Sequence, residues 1–258
     1  MANFTSQNYQ PDFEKIDQRF GLDVLMTPRF VFWECVQCDD EFQELNCFGG
    51  GRYCGTEASN AKLPGRDIVL EDIRQICIYK WAYSIVNDRS IFWDYVKEIH
   101  QECNGYVNED CSEVAHDRVP GLDWEATEKC VKESFTNSDE TTWKDHDVNN
   151  TLIDKDFKYW AKYGTSLFPS IVINNQTFRG QIETQAVMNA ICAGFEKAPK
   201  MCRRLLHAKN IEQNTRLGII EFDEGYRTHH ILGIFVICMI VLFCVLCLYR
   251  RHAKREMK

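Results

Sequence analysis

The sequence predicts an α/β chain held by one transmembrane helix. Three stretches carry that prediction: an unbroken apolar run at residues 231–249, a helical periodicity that starts at Val69 and lasts about ninety residues, and a strand–turn–strand–helix pattern from Phe168. The organisation that follows is a luminal domain at 1–202, a juxtamembrane stalk at 203–230 with some helical character, a membrane span at 231–249 and a cytosolic basic tail at 250–258. About 200 residues ahead of the stalk suffice for one medium domain with a real core.

The apolar run is 19 residues long, and Gly233 is its only member outside the apolar and aromatic set. At about 1.5 Å per helical residue it nearly matches a hydrocarbon core of roughly 30 Å. A buried helix of a soluble core would interleave charges on one face, and this run has none. Arg250, Arg251, Lys254, Arg255 and Lys258 follow it at once, while Asp223 and Glu224 precede it, so the tail is read as cytosolic and residues 1–230 as luminal.

The net charge is -8, and because the tail carries +4 the remainder carries -12. An acidic domain excludes nucleic acid as a natural partner and leaves a solvated surface, or a surface for cationic or peptide partners. Of thirteen cysteines, Cys238, Cys244 and Cys247 lie in the apolar run and ten precede it: Cys35, Cys38, Cys47, Cys54, Cys77, Cys103, Cys111, Cys130, Cys192 and Cys202. An even set in an oxidising compartment reads as a disulfide framework. Zinc would need paired close spacings, which only Cys35 and Cys38 supply, and His146 between Asp145 and Asp147 has no companion ligands. No metal or cofactor is predicted. Acceptor sequons at Asn3, Asn149 and Asn175 suit the luminal side. The first thirty residues hold no apolar signal region, so either the apolar run acts as the insertion signal or the sequence starts downstream of the true beginning.

In chain order, residues 11–20 predict a short amphipathic helix with Phe13, Ile16 and Phe20 on one face and Gly21 as its stop. Residues 29–33 form an apolar run of strand length leading to Cys35 and Cys38, then a polar segment at 39–45. Gly49, Gly50 and Gly51 between Cys47 and Cys54 mark a turn-rich loop; no Lys and Ser/Thr follow to make it a phosphate cradle. Val69, Leu70, Ile73, Ile76 and Cys77 make one helical stripe, and Phe92, Tyr95, Val96, Ile99 and Cys103 a second with Ser90 as its cap. Two shorter helices, around Cys111 and Val114 and around Trp124 to Val131 behind Asp123, are separated by Pro120 and Gly121; the cysteines sit on apolar faces, as bridges between small helices would require. A polar loop at 136–150 leads to a helix at 152–163 ended by Gly164.

Residues 166–180 then read as a proline-started strand, an Asn174-Asn175 hairpin turn and a second strand, followed by a helix capped by Thr184 with Val187, Met188, Ile191 and Phe195 facing one way. Thioredoxin-like domains end in this way. The apolar-Pro step makes Pro169 a cis-proline candidate. No internal repeat or low-complexity tract appears.

The ordered pieces Thr27-Pro28-Arg29, Gly51-Arg52-Tyr53-Cys54, Arg74-Gln75-Ile76-Cys77, Trp93-Asp94-Tyr95-Val96, Pro169 to Asn175 with Phe178-Arg179-Gly180, and Ala190 to Phe195 resemble the central luminal region of vacuolar sorting receptors across residues 11–202. The resemblance implies an α/β fold, here an incomplete thioredoxin-like domain with a helical, disulfide-rich insertion, and a non-enzymatic role in the Golgi, prevacuolar or vacuolar membrane binding soluble cargo proteins or peptides. It also implies a protease-associated domain, a first strand with a cysteine pair and EGF-like repeats, none found in these 258 residues. A tyrosine-based adaptor signal is not evident either: Tyr249 is followed by Arg250, Arg251 and His252.

Two other readings compete. One is a membrane-tethered thiol-disulfide oxidoreductase in which Cys35 attacks and Cys38 resolves; the other is a structural or adhesive glycoprotein. The apolar neighbours of Cys35 favour its burial, and the resemblance places it on a structural strand. Cys35 and Cys38 are therefore expected to bridge to other cysteines such as Cys47 or Cys54, with their loss impairing folding or export. The cargo-binding residues are not legible.

Overall fold

The computed structural model describes residues 10–55, 63–103, 106–139, 142–163, 169–180 and 182–203. Helix α1 (Gln10–Phe20) closes on Gly21, whose positive φ of 51° ends the helix, and Ile16 and Phe20 are buried as the spacing requires. Then come α2 (Asp40–Asn46), strands β1 (Cys47–Phe48) and β2 (Tyr53–Cys54), α3 (Gly65–Trp81), α4 (Ser90–Glu102), α5 (Glu109–Asp117), α6 (Trp124–Ser134), α7 (Ile153–Tyr163), β3 (Val172–Ile173), β4 (Gln176–Thr177) and α8 (Thr184–Ala193). Mixed helix and sheet cross-linked by disulfides is the observed class. Among the described residues no helix is long and apolar enough to cross a membrane; residues 231–249 lie outside them, as does Asn3.

The organising element is α3. Twelve of its 17 residues are buried, among them Glu71, Asp72 and Arg74, so it is enclosed on more than the single stripe its apolar spacing suggests. Its N-terminal half joins Phe30, Phe32, Phe48, Tyr53, Trp143 and Ile153 in one cluster, and its C-terminal half joins Phe92, Tyr95, Val96 and Ala115 in another.

The strands differ from expectation. β1 and β2 form one antiparallel hairpin over three glycines with positive φ; β3 and β4 form a second around Asn174 and Asn175, at φ 48° and 66°. Both Asn residues adopt the left-handed conformation that a two-residue turn demands. The segment from Arg29 to Trp33, which a thioredoxin-like sheet would pair with β3 and β4, does not pair with them among the described residues. It is extended, with Phe30 and Phe32 buried, yet the Phe30 N–H is taken by the Asp156 carboxylate at 3.1 Å and only Trp33 pairs, with Cys54. A side chain has replaced the ladder partner.

Three local assignments also change. The polar stretch after Cys38 is helical, because Asp39 accepts the Phe42 N–H at 2.8 Å and Asp40 and Glu41 occupy the first turn. Ser90 is not a cap: Asp88 takes both its N–H and its hydroxyl. Thr184 opens α8 from within, and the preceding Glu183 caps with no side-chain bond. Asp123, by contrast, caps α6 as its position predicts.

Candidate functional site

All ten cysteines expected to be bridged are bridged. Cys47 pairs with Cys54 across β1 and β2, Cys77 with Cys130 between α3 and α6, and Cys103 with Cys111 between α4 and α5. Cys192 and Cys202 are disulfide-bonded as well. The correction concerns Cys35 and Cys38, which bridge to each other instead of reaching Cys47 or Cys54. The latter two face each other as a registered strand pair and leave no free partner. Cys35 is also not buried: it and Cys38 are half-exposed on a bend whose Trp33 and Val36 expose 42% and 61%.

That bend belongs to a wider surface built on α7. The Arg29 guanidinium donates to Asp156 at 2.6 Å and lies 3.8 Å from the centroid of the Tyr159 ring. Trp33 meets Trp160 edge-on at 6.5 Å, and Tyr159 stacks on Tyr163 at 5.8 Å. The Tyr163 hydroxyl donates to Asn175 at 2.6 Å while its carbonyl accepts from Thr177, so α7 connects the Trp33 segment to the second hairpin. Burial pushes the Asp156 carboxyl up; Arg29 and the Phe30 N–H oppose the shift. None of these aromatics stood out in sequence, because Trp160 and Tyr163 share a helix face that reads as core.

The second hairpin completes this surface. β3 has no sheet partner on its other edge among the described residues. Ile173 faces Gln176 beside the turn and the Phe178 N–H bonds to the Ile171 carbonyl at 2.8 Å, so by alternation the Val172 N–H and C=O point away from β4. Val172 is exposed, as are Pro169 and Ser170 ahead of it. The peptide bond that makes Pro169 a cis candidate joins it to Phe168, outside the described residues. Asn149 and Asn175 are both exposed; the side-chain oxygen of the first accepts from Arg52 and that of the second from Tyr163, while Asn150, inside the first sequon, is fully buried.

Away from this surface lie two buried polar knots. Glu71 accepts from Tyr95, Ser112 and Gln75, and Arg74, 1% exposed, donates to Glu128 at 2.6 Å. Asp17 accepts from Tyr83, from the Trp93 indole at 2.9 Å and from Arg89 at 2.8 Å, which ties α1 to α4. The carboxylates are held by surrounding side chains, which reads as a structural role, while Arg74 Nη2 is buried without a hydrogen-bond partner.

The sequence model of the vacuolar sorting receptor thioredoxin-like domain matches residues 3–192. Vacuolar-sorting receptor 1 of Pisum sativum is 28% identical over 192 residues, which is 68% of this chain and 29% of that receptor. Vacuolar-sorting receptors 4 and 6 of Arabidopsis thaliana are each 28% identical over 194 and 198 residues, covering 68% and 69% of this chain and 28% of each receptor. The chain thus spans less than a third of the curated relatives it matches.

Proposed function

This chain belongs to the vacuolar sorting receptor thioredoxin-like domain family, and from that premise we propose that it is a single-pass receptor whose luminal domain binds extended segments of soluble cargo. The observation that supports a binding site is the free edge of β3. An extended peptide adds to such an edge through main-chain hydrogen bonds, and side-chain pockets alongside supply selectivity. The half-exposed aromatics of α7 reach the same hairpin at its turn and at β4, through Asn175 and Thr177. Cargo binding of this kind needs no catalytic residue and no cofactor.

In this reading residues 1–202 are luminal, 203–230 form a stalk, 231–249 span an endomembrane of the Golgi-to-vacuole route, and 250–258 are cytosolic. Asn3, Asn149 and Asn175 carry N-glycans. Protease added to sealed microsomes should remove only the tail; loss of the large domain would reverse the topology.

The edge itself is tested with Val172→Pro, which removes the outward N–H and leaves the hairpin bonds of Ile171 and Ile173 in place. Soluble luminal proteins retained by the full-length chain in detergent near neutral pH, and released on acidification, should no longer be retained by V172P with its circular dichroism unchanged. Retention at the wild-type level by the folded variant would rule the β3 edge out.

A further inference from the structure

The geometry points to the Cys35–Cys38 bridge as a thiol–disulfide exchange site of the native fold, open to uncharged or cationic thiol and dithiol partners and guarded against anionic ones. It is independent of the cargo edge and stands or falls on different measurements.

Access is the first ground. An attacking thiolate must approach a sulfur in line with the bond it breaks, so a bridge exchanges only where its sulfurs can be reached. Seven of the other eight described cysteines expose 5% or less, and Cys130 is packed against the core with its buried partner Cys77. Cys130 is half-buried too, but it is bonded to buried Cys77; among the described bridges whose partners are identified, only Cys35–Cys38 has both members half-exposed, between exposed Glu34, Val36, Gln37 and Asp39.

Reversibility is the second. An exchangeable pair must stay positioned when its sulfurs part. The Cys35 N–H donates to the Gly51 carbonyl at 2.7 Å and the Cys38 N–H to the Cys35 carbonyl at 3.1 Å. The Gln43 amide then donates to the carbonyls of Cys35, Val36 and Cys38 at 3.3, 3.2 and 2.9 Å. A Cβ at Gly51 would stand 2.5 Å from the Cys35 carbonyl oxygen, so this backbone contact requires glycine. These bonds hold the bend without the sulfur–sulfur bond, with Cα atoms 5.4 Å apart, inside the usual range for a bridge. Reduction therefore leaves two thiols poised to rejoin.

Charge is the third. Between Glu34 and Asn46 stand Glu34, Asp39, Asp40, Glu41 and Glu44 and no basic residue; Arg66 reaches the Glu44 carbonyl at 3.2 Å and offsets that one carboxylate, leaving the other four. Such a field raises the local potential energy of an approaching anion and favours cationic or neutral attackers. It also disfavours the cysteine thiolates, so the pair rests oxidised until a partner arrives.

The exchange balances as follows. An external thiolate attacks Sγ of Cys35 or Cys38, forming a mixed disulfide while the Cys35–Cys38 bond breaks and its electron pair leaves on the other cysteine, which takes a proton from solvent. A second thiolate, from the same dithiol or a second molecule, attacks the external sulfur and releases the partner as a disulfide. Two electrons pass from two thiols to the pair, and two protons end on Cys35 and Cys38.

The test uses the full chain in detergent, with free thiols blocked first. It is treated with cysteamine, 2-mercaptoethanol or thioglycolate at equal thiolate concentration, then alkylated and mapped by mass spectrometry. Cys35 and Cys38 should be labelled at least tenfold faster than any other bridged cysteine, with the circular dichroism unchanged and the pair re-forming when thiol is removed. Cysteamine should outpace thioglycolate several-fold, the gap closing in high salt and in Glu34→Gln/Asp39→Asn, in which Asn still caps α2. Another bridge opening first, or Cys35 and Cys38 opening only with global unfolding, overturns the site; equal rates for the three thiols overturn its selectivity. Cys38→Ser, left unblocked, should attack cystamine through the Cys35 thiolate, forming one mixed disulfide mapped to Cys35 and releasing one cysteamine thiol, and failure to do so in a folded variant also counts against the site.

Discussion

Cys77–Cys130 and Cys35–Cys38 are the same bond in opposite settings. The first joins α3 to α6 across 53 residues, in a core with Ile73, Val131 and Leu152 around it. The second spans three residues on an exposed bend that Gln43 and Gly51 already hold. Cross-linking stabilises chiefly by restricting the unfolded chain, and the restriction grows with loop length. The long bridge therefore acts on stability, and the short one is free to act on chemistry.

That contrast breaks most visibly in the double variant Cys77→Ala/Cys130→Ala. Loss of a loop constraint of this length costs about 4 kcal/mol, or very roughly 10 °C of melting temperature for a domain of this size. Calorimetry on the folded chain should show it; a shift no larger than that of the short bridge would dissolve the distinction.

Next in size is the pH response of the same core. His116, 1% exposed, shares its Nε2 with the Thr127 hydroxyl at 2.9 Å, lies between the Tyr95 and Trp124 rings, and has no hydrogen-bond partner at Nδ1. Burial holds it down to about 4. A folded pKa below the unfolded value of about 6.5 means a contribution complete above pH 6.5 and lost as pH falls towards 4, up to about 3 kcal/mol. Asp72 works the other way. Burial pushes it up to about 8, so its cost to the fold is relieved as pH falls from 8 towards its unfolded value. His116→Gln should gain stability relative to wild type between pH 6.5 and 4, and Asp72→Asn should lose its relative advantage over the same descent. Denaturant titrations at pH 7.5, 6 and 4.5 resolve both; parallel curves for all three proteins would mean that neither group titrates with folding.

Smaller still is the double variant Cys35→Ser/Cys38→Ser, which should cost under about 2 kcal/mol because the loop it opens is so short. Its melting temperature should fall by a few degrees with export intact, in contrast to the folding defect expected when the pair is taken to brace the core. The smallest effect belongs to Tyr163→Phe. It removes one partly exposed hydrogen bond to the hairpin turn, worth about 1 kcal/mol at most.

Much of the fold was legible wherever a local rule acts alone. Gly21 ends α1, Asp123 caps α6, Asn174 and Asn175 make a two-residue turn, and the stripe from Val69 to Cys77 is helical. Asp39 ahead of Asp40 and Glu41 is an equally plain capping signal for α2, obscured by the polar character of the segment after it. The candidate surface was less legible. A run such as Phe30 to Trp33 has strand composition, and whether it joins a ladder depends on what lies opposite, here Asp156 from a helix more than a hundred residues away. Likewise Trp33 and Trp160 are unremarkable apart and form an exposed pair only when α7 packs on the extended segment.

The sequence by itself determined the family, through an ordered set of motifs, and the even number of cysteines ahead of the apolar run, which required a bridged framework. Helix ends and hairpin turns were likewise determined, since each depends on residues within a few positions of one another. Only the tertiary structure decided which cysteines meet, that Cys35 and Cys38 are half-exposed, that β3 has no ladder partner on its outer edge among the described residues, and that Glu71, Asp72 and Arg74 go inside with the apolar face of α3. Pairing, exposure and the burial of charge are set by contacts between segments distant in the chain, and no spacing along the sequence encodes a distance across the core.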